Sequence, residues 1–357
     1  MKALVDVQLE HLLTQSLIRH TAHISLKEYV QPASIDLPVG DHVYHVQQKF
    51  LPFQGPIASL VEKLQTQVFD TTDWCTLYKG QTYMIPCLDI SLPPHLLGKV
   101  SPKSSLGRID VLIRAVVDST GIYDTIQPGT NGQLRLQVTP QSFNIRINRG
   151  IALTQLMLFD LSQEAVPYDR SEQYLFSHGE PLAATYYENK IIISAGIGWY
   201  ETIGYKARYT DEVIDITKTN EYPRRRFFEE LHLHGNGDHQ KIVLEKERFY
   251  ILPTKEAIRV PPQYAIELMP STHLMGELRV HYAWFFDPWF GWETGATGVL
   301  EVRPHEDIIV YDGQPICLME VYTNTQIPQT LYGEKGNNYQ GQEWPKLAKY
   351  FVVEHTI

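Results

Sequence analysis

The octapeptide SPKSSLGR at 101–108 sets two adjacent hydroxyls, Ser104 and Ser105, between two cations, Lys103 and Arg108, in a stretch broken by Pro102 and Gly107. Small residues let main-chain N–H groups approach a ligand, hydroxyls donate and the flanking cations supply charge, a set suited to a polyphosphate. The same composition also fits a solvated surface turn. Other clusters that could do chemistry have simpler readings. His232, His234 and His239 stand close together in LHLHGNGDH and suggest a metal, yet Gly-Asn-Gly-Asp is ordinary turn chemistry. Arg224, Arg225 and Arg226 read as a solvated face, and WFFDPWFGW at 284–292 as hairpin and core packing. Cys75, Cys87 and Cys317 lack the paired spacing of a disulfide framework or a thiolate zinc site.

The elements that must position such a loop read mainly as β-structure. The chain has 357 residues, 43% apolar and 11% aromatic, enough for a sizeable core and two or three domains. A net charge of −10 argues against a nucleic-acid groove as the main surface, so an anionic ligand has to be met by local cations. The N-terminal MKALVDVQLEHL lacks the pattern of a cleaved leader, and no run of 18 apolar residues occurs, so the expected setting is soluble, reducing and cytoplasmic, away from membranes. Leu4, Leu9, Leu12, Leu13 and Leu17 predict a short N-terminal helix, and ASLVEKLQTQVFD at 58–70 predicts a second one ending near Thr71 and Thr72. From 78 to 159, short apolar runs alternate with Pro, Gly and Asn clusters, as in a sandwich or jelly roll. The expected division is a front domain at 1–165, a polar linker at 166–188 and a rear domain at 189–357.

The rear half restarts the pattern of the front. YILPTKEAIRVPP at 250–262 repeats YMIPCLDISLPP at 83–94 about 167 positions later, and GVLEV at 298–302 repeats LRLQV at 134–138. GQPICLMEVY at 313–322 stands in for GIALTQLMLF at 150–159, and IISAGIGWYETIG at 192–204 for ASIDLPVG at 33–40. A tandem duplication of one β fold follows, each copy burying its own core.

In their order, ASIDLPVG, SPKSSLGR, IYDTIQPGTNGQLRLQV at 122–138 and GIALTQLMLF resemble the superfamily shared by dCTP deaminases and trimeric dUTP pyrophosphatases. The resemblance implies two tandem dUTPase-like distorted β-barrels or jelly rolls with short peripheral helices. It also exposes an asymmetry. The front copy keeps the phosphate loop but reads Ile-Gln-Pro-Gly at 126–129, where the family has Ile-Asp-Pro-Gly, and it carries Gln137 where deaminases have a catalytic Glu. The rear copy keeps Asp287 and Glu301, but its phosphate loop has become PSTHLMGE at 270–277. Relatives assemble each site from one subunit's loop and a neighbour's hairpin, so a fused chain can keep one composite set from two complementary halves.

By the same resemblance Glu301 serves as general base and then acid without zinc, and Ser104 and Arg108 polarise the water. Lys103, Ser104, Ser105 and Arg108 hold the triphosphate, and Asp287 takes the sugar 3′-hydroxyl. Ala283 and Val299 lie beside the base, while Tyr332, Tyr339 and Gln342 belong to a C-terminal lid in which Asn338 replaces the family's Lys and Lys335 takes over its contact. The interval from Asp287 to Glu301 is longer than is usual in the family. The implied reaction is dCTP plus water to dUTP plus ammonia. Mg²⁺ is carried on the triphosphate, dTTP acts as an inhibitor, and the protein works as a single chain or as a pair. The zinc-deaminase signature H-x-E…P-C-x-x-C is absent from the sequence. A dUTP pyrophosphatase or bifunctional enzyme, with Asp287 activating water, and a nucleotide-binding regulatory protein without catalysis are the alternatives.

Overall fold

The computed structural model describes the chain apart from residues 165, 199–200, 233–239, 271–277, 281–284, 335–337 and 353–357. The chain divides into two compact units: Met1–Val166 with Asp211–Lys218 and Thr323–Thr330, and Pro167–Thr210 with Thr219–Tyr322 and Leu331–Ile357.

The front unit is organised on the strand Thr82–Ser91, rich in residues that suit a pleated, buried surface. It pairs with Asn131–Pro140, His42–Val46 and Ile18–His20, and Asn131–Pro140 pairs in turn with Val111–Val117. A second sheet centres on Ala152–Asp160, flanked by Ile35–Pro38 and Leu96–Pro102, with the two-residue strand Thr125–Ile126 on the outer edge of Leu96–Pro102. Alternation along these strands turns Ile113, Ala115, Leu134, Leu136 and Leu156 into the core.

The rear unit repeats this plan, and backbone register proves the duplication more sharply than sequence likeness. Val138, Gln137 and Leu136 face Tyr83, Met84 and Ile85, while Val302, Glu301 and Leu300 face Tyr250, Ile251 and Leu252. Both tyrosines are buried, and each hydroxyl accepts a main-chain N–H five residues upstream, from Tyr78 to Tyr83 at 3.0 Å and from Glu245 to Tyr250 at 2.9 Å. Ile35 pairs with Leu156 as Ile192 pairs with Leu318, which makes the strand Lys190–Ser194 the rear copy of Ile35–Pro38.

Two expectations about elements change. The helix expected over 58–70 stops early: it spans Ile57–Leu64, and Gln65–Asp70 continues as an edge strand against His42–Val46. The helical half buries Ile57 and Val61 against Val46, Met84 and Val116, whereas the strand half has Val68 and Phe69 opposite Tyr44 and Val43. An available strand edge satisfies backbone N–H and C=O groups that a longer helix would expose. The stretch expected as a linker also carries structure. Leu175–Ser177 pairs with Tyr250–Ile258, as Ile18–His20 pairs with Thr82–Ser91, because Tyr174, Leu175 and Phe176 are buried in the rear core.

Two segments from the later part of the chain belong to the front unit. Val213–Asp215 lies parallel to Asn144–Ile147 with Ile214 fully buried, and Asp6 accepts the N–H groups of Gln329 at 3.1 Å and Thr330 at 2.8 Å.

Candidate active site

The phosphate-loop motif sits where the strand Leu96–Pro102 ends. Lys103 N–H bonds the Leu153 carbonyl at 3.0 Å, and a single helical turn, Ser104–Gly107, closes through Arg108 N–H to the Ser104 carbonyl at 3.0 Å. Leu106 drops into the core, so the loop cannot swing freely. The Arg108 side chain is only 4% exposed and folds back, its Nε donating to Ser104 Oγ at 3.2 Å. A buried guanidinium that orients a hydroxyl is a preorganised donor pair for an anionic or polarised oxygen. The Lys103 ammonium pairs with Asp36 of the ASIDLPVG segment, and Gln31 Nε2 donates to the same oxygen at 3.5 Å. ASIDLPVG therefore supports the loop through Asp36, a role the spacing of the two motifs did not reveal.

In the rear unit the hairpin that carries Asp287 now has a fixed alignment. Phe286 and Phe285 pair with Ile266 and Glu267, as Ile126 and Thr125 pair with Gly98 and Lys99. Trp289 N–H bonds the Val260 carbonyl at 2.9 Å, as Gly129 N–H bonds Pro93 at 3.3 Å, and Phe290 N–H bonds Asp287 at 3.2 Å, as Thr130 N–H bonds Gln127 at 3.1 Å. Asp287 is thus the counterpart of Gln127, and the added residues of the rear hairpin lie beyond the turn, closed by Gly295 N–H to the Gly291 carbonyl at 2.9 Å.

Glu301 is 1% exposed, between the strands Tyr250–Ile258 and Leu278–Val280. Alternation places Thr297, Val299 and Glu301 on one face. The front counterpart of this position has a different fate. Gln137 Nε2 donates to the Phe50 carbonyl at 3.2 Å, and the Tyr123 hydroxyl donates to that carbonyl at 2.6 Å while lying 3.3 Å from Gln137 Oε1. Tyr123 is capped by the Arg114 guanidinium 4.5 Å from its ring centre, and Phe50 packs with the helix Ile57–Leu64. The side chain at the front position is therefore bonded to the protein's own chain. A Gln in place of a Glu is the legible part of this; the Phe50 and Tyr123 contacts come from distant segments and carried no signal.

The C-terminal segment docks on the same rear hairpin. Tyr332 N–H bonds the Pro288 carbonyl at 3.0 Å, and its ring meets Phe290 edge-on at 5.3 Å. Gln342 makes a two-way bond with Thr297: Thr297 N–H to the Gln342 carbonyl at 2.7 Å and Gln342 Nε2 to the Thr297 carbonyl at 2.6 Å. Tyr339 lies in the rear core. A cavity of about 390 Å³, large enough for a small ligand, opens at the Thr297 end, lined by Thr254, Lys255, His178, Thr297, Gln342 and Glu343. It reaches neither Asp287 nor Glu301. Ala283, Lys335, the loop 271–277, His234 and His239 lie outside the described residues. Among the described residues no three His, Cys, Asp or Glu side chains cluster closely enough to hold a metal ion, and no helix is long and apolar enough to cross a membrane. The three cysteines are buried free thiols, and burial pushes Cys75 up to about 12, so none is a ready nucleophile at neutral pH.

Comparison with known proteins agrees with this architecture. Residues 2–162 match the N-terminal domain model, and 163–351 the C-terminal domain model, of 2′-deoxycytidine 5′-triphosphate deaminase. A dCTP deaminase of Halorubrum lacusprofundi is 28% identical over 163 residues, covering 41% of this chain and 73% of the relative. A dUMP-forming dCTP deaminase of Tropheryma whipplei is 26% identical over 193 residues, covering 52% of this chain and 86% of the relative. The crystal structure of the 2′-deoxycytidine 5′-triphosphate deaminase from Agrobacterium tumefaciens superposes with a TM-score of 0.82 at 31% identity, covering 93% of this chain and 98% of the other. Two matched domain models across nearly the whole length, on a fold that repeats one unit twice, place the chain in the 2′-deoxycytidine 5′-triphosphate deaminase family.

Proposed function

We propose that this protein hydrolyses dCTP to dUTP and ammonia, with Glu301 transferring the protons and the 101–108 loop gripping the triphosphate. The observation that carries the reading is the pair of equivalent strand positions. One holds Gln137, whose amide is bonded to Phe50, and the other holds the buried carboxylate of Glu301. Each chain would then hold one catalytic set, its phosphate loop from the front copy and its acid from the rear.

In this mechanism Glu301 accepts a proton as water attacks C4, forming the C–O bond, and delivers it to ring N3. A second proton from the attacking oxygen passes by the same carboxylate to the exocyclic nitrogen, the C4–N bond breaks, and ammonia leaves. Arg108 and the hydroxyl of Ser104 steady the polarised oxygen. Ser105 and Lys103 meet the phosphates, so Lys103 would exchange part of its pairing with Asp36 for the ligand. Asp287 accepts from the deoxyribose 3′-hydroxyl, with Val299 and Ala283 beside the base. Mg²⁺ enters as part of the substrate, on the triphosphate oxygens.

Incubation with dCTP and Mg²⁺ should yield equal amounts of dUTP and ammonia, and Glu301→Gln should lower kcat by about 10²- to 10⁴-fold, the usual worth of a general acid–base group. Full turnover by Glu301→Gln defeats the role given to it. Tight dCTP binding by the wild type without turnover would instead indicate a nucleotide-binding regulator. The dUMP-forming relatives favour a second reading, in which the same site goes on to release pyrophosphate; dUMP and pyrophosphate among the products would establish it.

A further inference from the structure

The turn after Asp287 begins as its front counterpart does but differs at its left-handed residue. That residue is Gly129, φ +74°, in the front and Trp289, φ +81°, in the rear. Glycine enters this region freely, whereas a residue with a Cβ is strained there. The front turn closes on itself, the Thr130 hydroxyl donating to the Gln127 carbonyl at 2.6 Å. The rear turn is held from outside. The amide of Gln340 bridges it, accepting from Gly291 N–H at 2.9 Å and donating to the Trp289 carbonyl at 3.0 Å. Tyr332 N–H takes the adjoining Pro288 carbonyl at 3.0 Å, so both ends of the C-terminal segment seize the residues that immediately follow Asp287. The Trp289 indole stacks on Trp292 at 3.5 Å and 12°, which gives the turn its own optical signal.

We propose that Gln340 is a positioning residue: by bridging Trp289 and Gly291 it fixes the strained turn that sets Asp287, coupling docking of the C-terminal segment to recognition of the sugar 3′-hydroxyl. This rests on the deaminase reading with Asp287 at the sugar. Gln340 touches no reacting atom. Removing it loosens the turn and lowers affinity for a nucleotide that carries the 3′-hydroxyl, while leaving the chemical step alone.

The test compares the full-length wild type, Gln340→Ala and Gln340→Glu in steady-state deamination of dCTP, in inhibition by 2′,3′-dideoxycytidine triphosphate, and in near-ultraviolet circular dichroism of the tryptophan pair. Loss of two hydrogen bonds predicts a KM for dCTP about tenfold higher in Gln340→Ala, with kcat and the inhibition constant of the dideoxy compound within about twofold of wild type and the tryptophan signal weakened. Gln340→Glu keeps the acceptor for Gly291 but cannot donate to Trp289, and falls between. An unchanged KM, or an equal loss of affinity for both nucleotides, overturns the proposal. A wild type that neither binds nor turns over dCTP overturns the deaminase reading itself. The two failures are separable, because the tryptophan signal reports the clamp without any substrate.

Discussion

Glu256 shows what burial does to a single carboxyl. It lies in the register irregularity between Pro253 and Ala257, is 7% exposed and accepts Ser194 N–H at 2.8 Å. Burial pushes its carboxyl up from the ordinary value of 4.5, outweighing that hydrogen bond. A carboxyl raised in the folded state contributes stability that is full below its unfolded value and is lost as pH rises through the folded value. Glu256→Gln should therefore melt with the wild type near pH ~4 and become progressively more stable than it as pH climbs towards ~8. A melting difference that stays flat over that range would show that Glu256 does not titrate as its burial requires. The motif serines, Arg108, Asp287 and Glu301 are proposed from residue type and order. The contacts of Asp36 and Gln340 were not legible there, because their partners lie 67 and 49 to 51 residues away.

At the scale of elements, the strand Val213–Asp215 matters most for the front unit's edge. It pairs parallel with Asn144–Ile147, and Ile216 N–H continues the pairing to the Arg146 carbonyl at 3.1 Å. Asn144 Nδ2 donates to the Asp211 carbonyl at 2.9 Å, and Lys79 pairs with Asp211 at 2.7 Å. Replacing the fully buried Ile214 by Ala should destabilise the front unit by about 2–4 kcal/mol, with the loss of amide protection concentrated in Asn144–Ile147. Equal loss in the strand Tyr250–Ile258 would show that the segment does not belong to the front unit alone. The edge strand Gln65–Asp70 teaches the same lesson from the other side. Its sequence continues a helical pattern, and only the free edge of His42–Val46 turns it into a strand.

For the whole molecule, the proposed single catalytic set per chain predicts a stoichiometry of one dCTP bound per chain, measurable by titration calorimetry with Glu301→Gln. Two would mean that the front position, with Gln137, Phe50 and Tyr123 bonded together, opens to admit a second nucleotide. Mixing Arg108→Ala chains with Glu301→Gln chains adds a further check, since recovered activity would show loop and acid combining from different polypeptides. The order of motifs along the chain was enough to determine the family and the duplication, because strand alternation and short chemical motifs are local properties of a sequence. Tertiary structure alone decided which strands pair within each copy, where the extra residues of the rear hairpin lie, and that 166–188 contributes strands to the rear fold. Those outcomes depend on backbone hydrogen bonds and buried contacts between segments far apart in the chain, and no window along the sequence contains both partners.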